Sequence, residues 1–310
     1  MIDRAVHSAD RQGLETVIGH ELARGDAVAE SARPALRQLV LADGSLPETE
    51  EVVARIRGML EGIAITLVDA LPQPAVVVGA LTHTLIDTPA LLSHLRAVAL
   101  EWRIAEELQM RLALDPVVSP LLEELVSHGD AALRDLARKF LAAQARWCHL
   151  QRTMRLSLTE LPDELFHAVI LILRAQAAQH SGAAERAAQA EAELRRRHDE
   201  ADRRIDLASR LVSKLGDGAK TALSLNRAGT ALFLTALALG SGQDREAVAV
   251  WTEEAQLSRL ALSLRSAGLS SSDAERQLLA LHPAMTLPPG FGALDEALAL
   301  ALLNSGSGGI

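Results

Sequence analysis

An all-α protein is what this sequence predicts, and three observations predict it. Ala and Leu, both strong helix formers, make up about a third of the 310 residues. Aromatic residues are only 2% of the chain, with no tyrosine, while 49% is hydrophobic, so the core has to be built from aliphatic side chains. Gly, Pro and Asp punctuation cuts the sequence into about a dozen amphipathic pieces joined by turns of roughly two to five residues, a spacing that favours antiparallel helix pairs.

Taken in order, Gly25-Asp26 separates an expected helix over residues 9–24 from a second that ends near Leu41. The turn Asp43-Gly44-Ser45 and Pro47 start a third, which runs toward Ala70. The β-branched run Ala75 to Val78 is the one tempting strand, but Pro72, Pro74 and Gly79 lie too close for a central strand. It reads as a helix with proline in its first turn. Asp87-Thr88-Pro89, Asp115-Pro116 and Gly129-Asp130 mark further boundaries. Glu101, Glu106 and Glu107 around Trp102 read as a solvated helix face. After Leu161-Pro162, the residues Leu165, Phe166, Val169, Ile170, Leu173 and Ala177 make one wide apolar face, ended by Ser181-Gly182.

Residues 183–215 then read as one long charged helix. Glu191/Arg195, Glu193/Arg197, Asp199/Arg203, Glu200/Arg204 and Asp206/Arg210 are spaced i,i+4 with the acid first, each worth about 0.2–0.5 kcal/mol. Leu194, His198, Ala201, Ile205, Ala208, Val212 and Leu215 follow a 4-3-4-3 alternation, the spacing of a narrow coiled-coil seam. A homodimer through this helix is therefore an expectation.

Beyond Gly216-Asp217-Gly218, Lys220 to Leu239 predicts an almost wholly apolar helix stopped by Gly240-Ser241-Gly242. Asp244 caps the next, which carries Ala247 to Leu264 and stops at Gly268. Ser272-Asp273-Ala274-Glu275 has the form of a capping box for a helix that ends at His282-Pro283. The chain closes with Gly290 to Leu303 and a Gly/Ser tail, residues 306–310, expected to be disordered. The expected organisation is an N-terminal helical domain over 1–155 and a helical-repeat region over 156–305. An irregular HEAT-like stack of hairpins fits this pattern, because a pair apolar on both faces needs a neighbour on each side.

The segments 151–173, QRTMRLSLTELPDELFHAVILIL, and 227–287, with RAGTALFLTALALGSGQDREAVAVW and LALSLRSAGLSSSDAERQLLALHPAMTL, carry a resemblance. They resemble an uncharacterised alphaproteobacterial all-helical domain-of-unknown-function family with HEAT-like helical repeats. The shared features are the Leu-Gly-Ser-Gly helix end, the Asp-Arg-Glu-Ala start, the Arg-Ser-Ala-Gly-Leu turn and the Leu-His-Pro stop. The resemblance implies a fold and a bacterial source; it brings no catalytic residues.

Charge and composition narrow the function. A formal net charge of -9 and the scarcity of stacking aromatics argue against nucleic acid. Ala228 to Gly240 is the strongest membrane candidate, yet it spans about 13 residues where a crossing helix needs roughly 20. The start MIDRAVHSAD has neither an apolar h-region nor a small-residue cleavage site, and Cys148 is alone, so a reducing, cytoplasmic setting is expected. Glu164 and His167 form an E-x-x-H, but the second E-x-x-H of a di-iron bundle is missing, so no metal is expected. Cys148 and His149 are adjacent and diverge by about 100 degrees on a helix, which rules out a nucleophile–base pair. No phosphate loop, dinucleotide fingerprint or G-x-S-x-G occurs, so neither a cofactor nor catalysis is expected.

What remains is function by surface: a non-enzymatic protein-interaction or scaffold module whose partner is another protein. Trp147 and Trp251, if exposed, and Arg195, Arg203 and Arg204 on the charged helix are the candidate interaction residues, because aromatic and Arg side chains anchor interfaces. The alternative is histidine phosphotransfer or another two-component-linked role, with His83 and His94 as candidate acceptors.

Overall fold

The computed structural model describes residues 2–41, 47–69, 74–179, 184–285 and 291–305. Among these the regular structure is helical throughout, with no strand. The expected turn at Asp43-Gly44-Ser45, the Pro72 and Ser181-Gly182 breaks, Gly290 and the 306–310 tail lie outside the described residues.

The helices are α1 (Ile2–Leu41), α2 (Pro47–Val68), α3 (Pro74–Ile86), α4 (Pro89–Leu112), α5 (Pro120–Val126), α6 (Ala131–Arg152) and α7 (Asp163–Ala177). They continue with α8 (Ala184–Asp199), α9 (Arg204–Lys214), α10 (Ala219–Ala222), α11 (Leu225–Ser241), α12 (Arg245–Val250), α13 (Leu257–Ser266), α14 (Ser271–Leu281) and α15 (Glu296–Ser305). Proline opens α2, α3, α4 and α5, as its fixed φ and missing N–H favour. The chain groups into two compact units: residues 1–33, 103–137 and 208–310 in one, residues 34–102 and 138–207 in the other.

In the first unit α11 is the centre, packing on α5, α10, α12, α13 and α14, while α13 packs on α14 and α15. Every residue from Ala228 to Ala238 is buried, so the apolar run expected here is a core helix. It begins at Leu225 instead of Lys220 and kinks at Gly229, whose φ of 69° places it in the left-handed region. A Cβ there would also meet the Ser119 side chain at 3.0 Å. Gly242, φ 66°, closes α11 as a left-handed cap, with the Gln243 amide returning to the Ala238 carbonyl at 3.0 Å.

Gly25 does not divide α1. Its missing Cβ allows close approach: an added one would lie 2.7 Å from the Ala255 carbonyl oxygen. Beside it Gln256 donates to the Gly25 carbonyl at 2.6 Å and Arg259 holds Asp26 at 2.6 Å. Asp244 caps α12 as expected, accepting from the Glu246 and Ala247 amides at 2.9 and 3.0 Å. The single helix expected from there to Gly268 is instead α12, a 3-10 turn Glu254–Gln256 and α13. The cap of α14 falls two residues earlier than the expected capping box: Ser270 accepts from the Asp273 amide at 3.1 Å, and its hydroxyl donates to the Asp273 carboxylate at 2.6 Å.

In the second unit α2 packs on α3, α3 on α7 and α7 on α8. Ile56, Met59, Leu60, Ile63 and Leu67 of α2 are fully buried. On α7 five of the six residues of the expected face, Phe166, Val169, Ile170, Leu173 and Ala177, are buried, and Leu165 at its edge is half-buried. Gly58 of α2 has a steric reason, since a Cβ there would lie 2.7 Å from the Met154 Cβ.

The long helix over 183–215 is not continuous. It breaks over residues 200–203, and no Gly or Pro lies there to explain it. Of the five expected i,i+4 pairs, Glu191/Arg195 and Glu193/Arg197 form, both on α8. Arg203 and Arg204 turn to other partners, and those partners define the site.

Candidate functional site

Arg204 is the first residue of α9 and is only 2% exposed. Its guanidinium faces Glu101 in the middle of α4, 1% exposed, with Nη1 donating to Oε1 at 2.7 Å and Nη2 to Oε2 at 3.0 Å. This fork-on-fork geometry is the one in which Arg differs most from Lys. Nη1 also donates to Gln144 Oε1 at 3.1 Å. The cation lies 3.9 Å from the centre of the Trp147 ring, and Trp147 meets Trp102 edge to face at 5.7 Å. Arg55, on α2, lies over the far tryptophan, 5.4 Å from the Trp102 centroid, and donates to the Gln151 carbonyl at 2.5 Å.

The local sequence explains how these groups meet. Gln144, Trp147, Cys148 and Gln151 follow i, i+3, i+4, i+7 spacing, so they form one stripe of α6, and all four are buried. Gln144 Nε2 lies 3.5 Å from the Cys148 sulfur, while His149 points to solvent from another face. Glu101 shares a face of α4 with the buried Val98, Ala105 and Leu108. An acid within that apolar stripe is the sequence signal for a buried partner: Glu101 does not lie on a solvated face, and Glu106 and Glu107 are only half-exposed.

Glu160 completes the centre from the 3-10 turn Leu158–Glu160. Its Oε2 accepts from the Arg204 backbone N–H at 3.1 Å, so the first amide of α9 is capped by a carboxylate from another element, at the end of the helix where negative charge is favoured. Burial pushes the Glu160 carboxyl above its ordinary value, a shift that the nearby Arg204 and its amide oppose and Glu101 reinforces. For Arg204, burial works against the charge, but the Glu101 carboxylate and its hydrogen bonds outweigh it and hold the guanidinium above its usual range. Arg204 therefore keeps its charge in the interior, facing Glu101.

A second set of charges lies on the outside of the same unit. Arg174 of α7 donates from Nε and Nη2 to the two oxygens of Glu191 on α8, both at 2.5 Å, and Arg195 adds a bond at 2.8 Å. These arginines hold the Glu191 carboxyl below its ordinary value. Glu193 receives Arg196 at 2.8 Å and Arg197 at 2.5 Å, which draw its pKa down to about 2. Arg196 also reaches Glu200 at 2.7 Å. Arg203 bridges Asp163 at 2.5 Å and Asp206 at 2.7 Å. His198, expected on a coiled-coil seam, is buried instead: its ring stacks on Phe166 at 3.9 Å, and Nε2–H donates to the Leu161 carbonyl at 3.0 Å.

Of the expected interaction residues, Trp147 and Trp251 are 2% and 7% exposed, so neither offers a surface anchor. Trp251 is held under Arg259, 5.8 Å from the ring centre. Arg204 is likewise withdrawn from the surface by Glu101, Arg203 is partly buried in its two ion pairs, and Arg195 is half-buried against Glu191. His83 is exposed on α3, whereas His94 on α4 is buried. Glu164 and His167 are both exposed on α7. Among the described residues no group of three or more His, Cys, Asp or Glu is placed to hold a metal ion, and no helix is long and apolar enough to cross a membrane.

Fold and site together define an all-α protein with a buried arginine–carboxylate centre. Comparison with family models, with curated proteins and with solved structures finds no match to this chain.

Proposed function

We propose that the protein is a non-enzymatic interaction or scaffold module that recognises another protein through the outer face of α8. The observation that carries this reading is the preorganised charge ladder Glu193, Arg196, Arg197 and Glu200. Its members are all substantially exposed, from 41% for Glu193 to 62% for Arg197 and Glu200, and each is held in a defined ion pair. Alternating fixed charges of this kind select a complementary surface and oppose a wrong one, since like charges brought together are costly. A HEAT-like stacking of the hairpins, membership of the uncharacterised helical family, and a cytoplasmic bacterial setting belong to the same proposal.

The test is affinity capture from native extract with the wild-type protein and with an Arg196→Glu, Arg197→Glu variant. A specific partner retained by the wild type, and lost both by the variant and in high salt, supports the reading. The same set of proteins on both baits, or turnover of a metabolite by the purified protein, overturns it.

Histidine phosphotransfer is the second reading, and the exposure of His83 favours one of its two candidates. Incubation with a phosphorylated response regulator should leave acid-labile label on the wild type and none on His83→Ala. Label that survives the substitution removes His83.

A further inference from the structure

Residues 199–204, Asp-Glu-Ala-Asp-Arg-Arg, contain no residue that breaks a helix, and their acids and bases are spaced for Asp199/Arg203 and Glu200/Arg204 pairs along a continuous one. Yet residues 201–203 lie outside helix. The partners of Asp202, Arg203 and Arg204 include groups from elsewhere in the second unit. Glu101 of α4 takes the Arg204 guanidinium, Glu160 caps the Arg204 amide, and Asp163 draws Arg203 away. Lys139 of α6 holds Asp202 at 2.9 Å, and Glu200 has turned back to Arg196. Local sequence and tertiary contacts therefore specify different structures for the same six residues.

The docked arrangement also carries a cost. Arg204 Nε and Trp102 Nε1 are buried without a hydrogen-bond partner among the described residues, and a buried unsatisfied donor is unfavourable. A state with Arg204 outside the core would return its guanidinium to water and to Glu200, one helical turn back. Two packings of one segment, one paired to Glu101, Glu160 and Asp163 and the other paired along the helix, are the structural basis of a switch.

We propose that Arg204 is a latch. Seated against Glu101, it holds residues 184–214 as two helices with a break at 200–203; released, it lets α8 and α9 join into one continuous helix of paired charges. Release replaces the Arg203–Asp163 and Arg204–Glu101 contacts by Asp199–Arg203 and Glu200–Arg204, and it carries the sequence's 4-3-4-3 seam onto one uninterrupted helix. The latch is a property of the fold. It goes beyond the interaction reading and stands whether or not α8 meets a partner.

Amide hydrogen exchange of the intact protein, resolved to residues 202 and 203, tests this, since the Ala201 amide already donates to the His198 carbonyl. In the wild type these amides should exchange rapidly. In Glu101→Gln, which takes away the charge that seats Arg204, they should become more than about tenfold slower, because a continuous helix gives each of them an acceptor four residues back. Glu101→Leu with Arg204→Ala is the companion variant. It leaves no unpaired buried charge, so it keeps the fold if the single variant does not, and it should show the same slowing. Rapid exchange at 202 and 203 in a folded variant, equal to that of the wild type, overturns the latch. So does slow exchange already present in the wild type.

Discussion

Arg204 and Glu101 show how much a single residue's environment depends on its partner. Arg204→Met alone should cost about 3–5 kcal/mol, because it leaves the Glu101 carboxylate buried and unpaired, whereas Arg204→Met with Glu101→Leu should be close to neutral or stabilising. Denaturant unfolding of the three proteins checks this; equal losses in the single and double variants would contradict it. Glu160 makes a separate prediction about pH. Its folded pKa is raised, so the folded state binds its proton more readily than the unfolded chain does. Its contribution is present below the ordinary value of 4.5 and is lost as pH rises through the raised value. Glu160→Gln keeps an oxygen for the Arg204 amide and removes the titration. It should therefore be more favourable relative to wild type at pH 7 than at pH 4, measured by unfolding at the two values, and parallel pH profiles would argue against the assignment.

Elements were readable from sequence where a local signal decides them. The proline starts, the Asp244 cap and the buried face of α7 all depend on groups within a few residues of one another. The signal was ambiguous where several groups offered the same chemistry. Ser270, Ser271 and Ser272 are three candidate caps, and Ser270→Ala should cost about 1 kcal/mol while Ser272→Ala costs much less, since the Ser270 oxygen receives the Asp273 amide. Equal losses from the two substitutions in thermal unfolding would move the cap. Gly25 was misread for another reason: a glycine that ends a helix and a glycine that admits a neighbouring backbone look alike in sequence. Gly25→Ala keeps α1 helical but places a methyl against the Ala255 carbonyl, so it should destabilise by about 1–3 kcal/mol in place of the gain expected at an exposed helical site.

At the scale of the whole molecule, the net charge of -9 conceals strong local compensation. Arginines hold Glu191 and Glu193 below their ordinary values, backbone amides do so for Asp130, and Ser270 and Arg276 do so for Asp273. Each depressed carboxylate contributes stability that is present above its unfolded pKa and lost as pH falls through the folded one. Acid unfolding should accordingly set in below about pH 4.5 and progress toward the Glu193 value of about 2. A stability flat from pH 5 to 2 by circular dichroism would show that these pairs are not maintained in solution. Salt should weaken the exposed ladder on α8 before it affects the buried Arg204–Glu101 pair.

By itself the sequence determined the helical class, most helix starts and stops, and the aliphatic core. Each of these follows from propensity, capping and periodicity acting over one or two turns. It also carried the charges of residues 183–215 but not their pairing. Only the tertiary structure decided that two compact units are assembled from interleaved segments, that Trp147 and Trp251 are interior, and that Arg204 leaves its helical neighbour for Glu101. The physical reason is range: an i,i+4 pair is written within five residues, whereas Glu101 and Arg204 are 103 residues apart and meet only when α4, α6 and α9 bring their buried faces together.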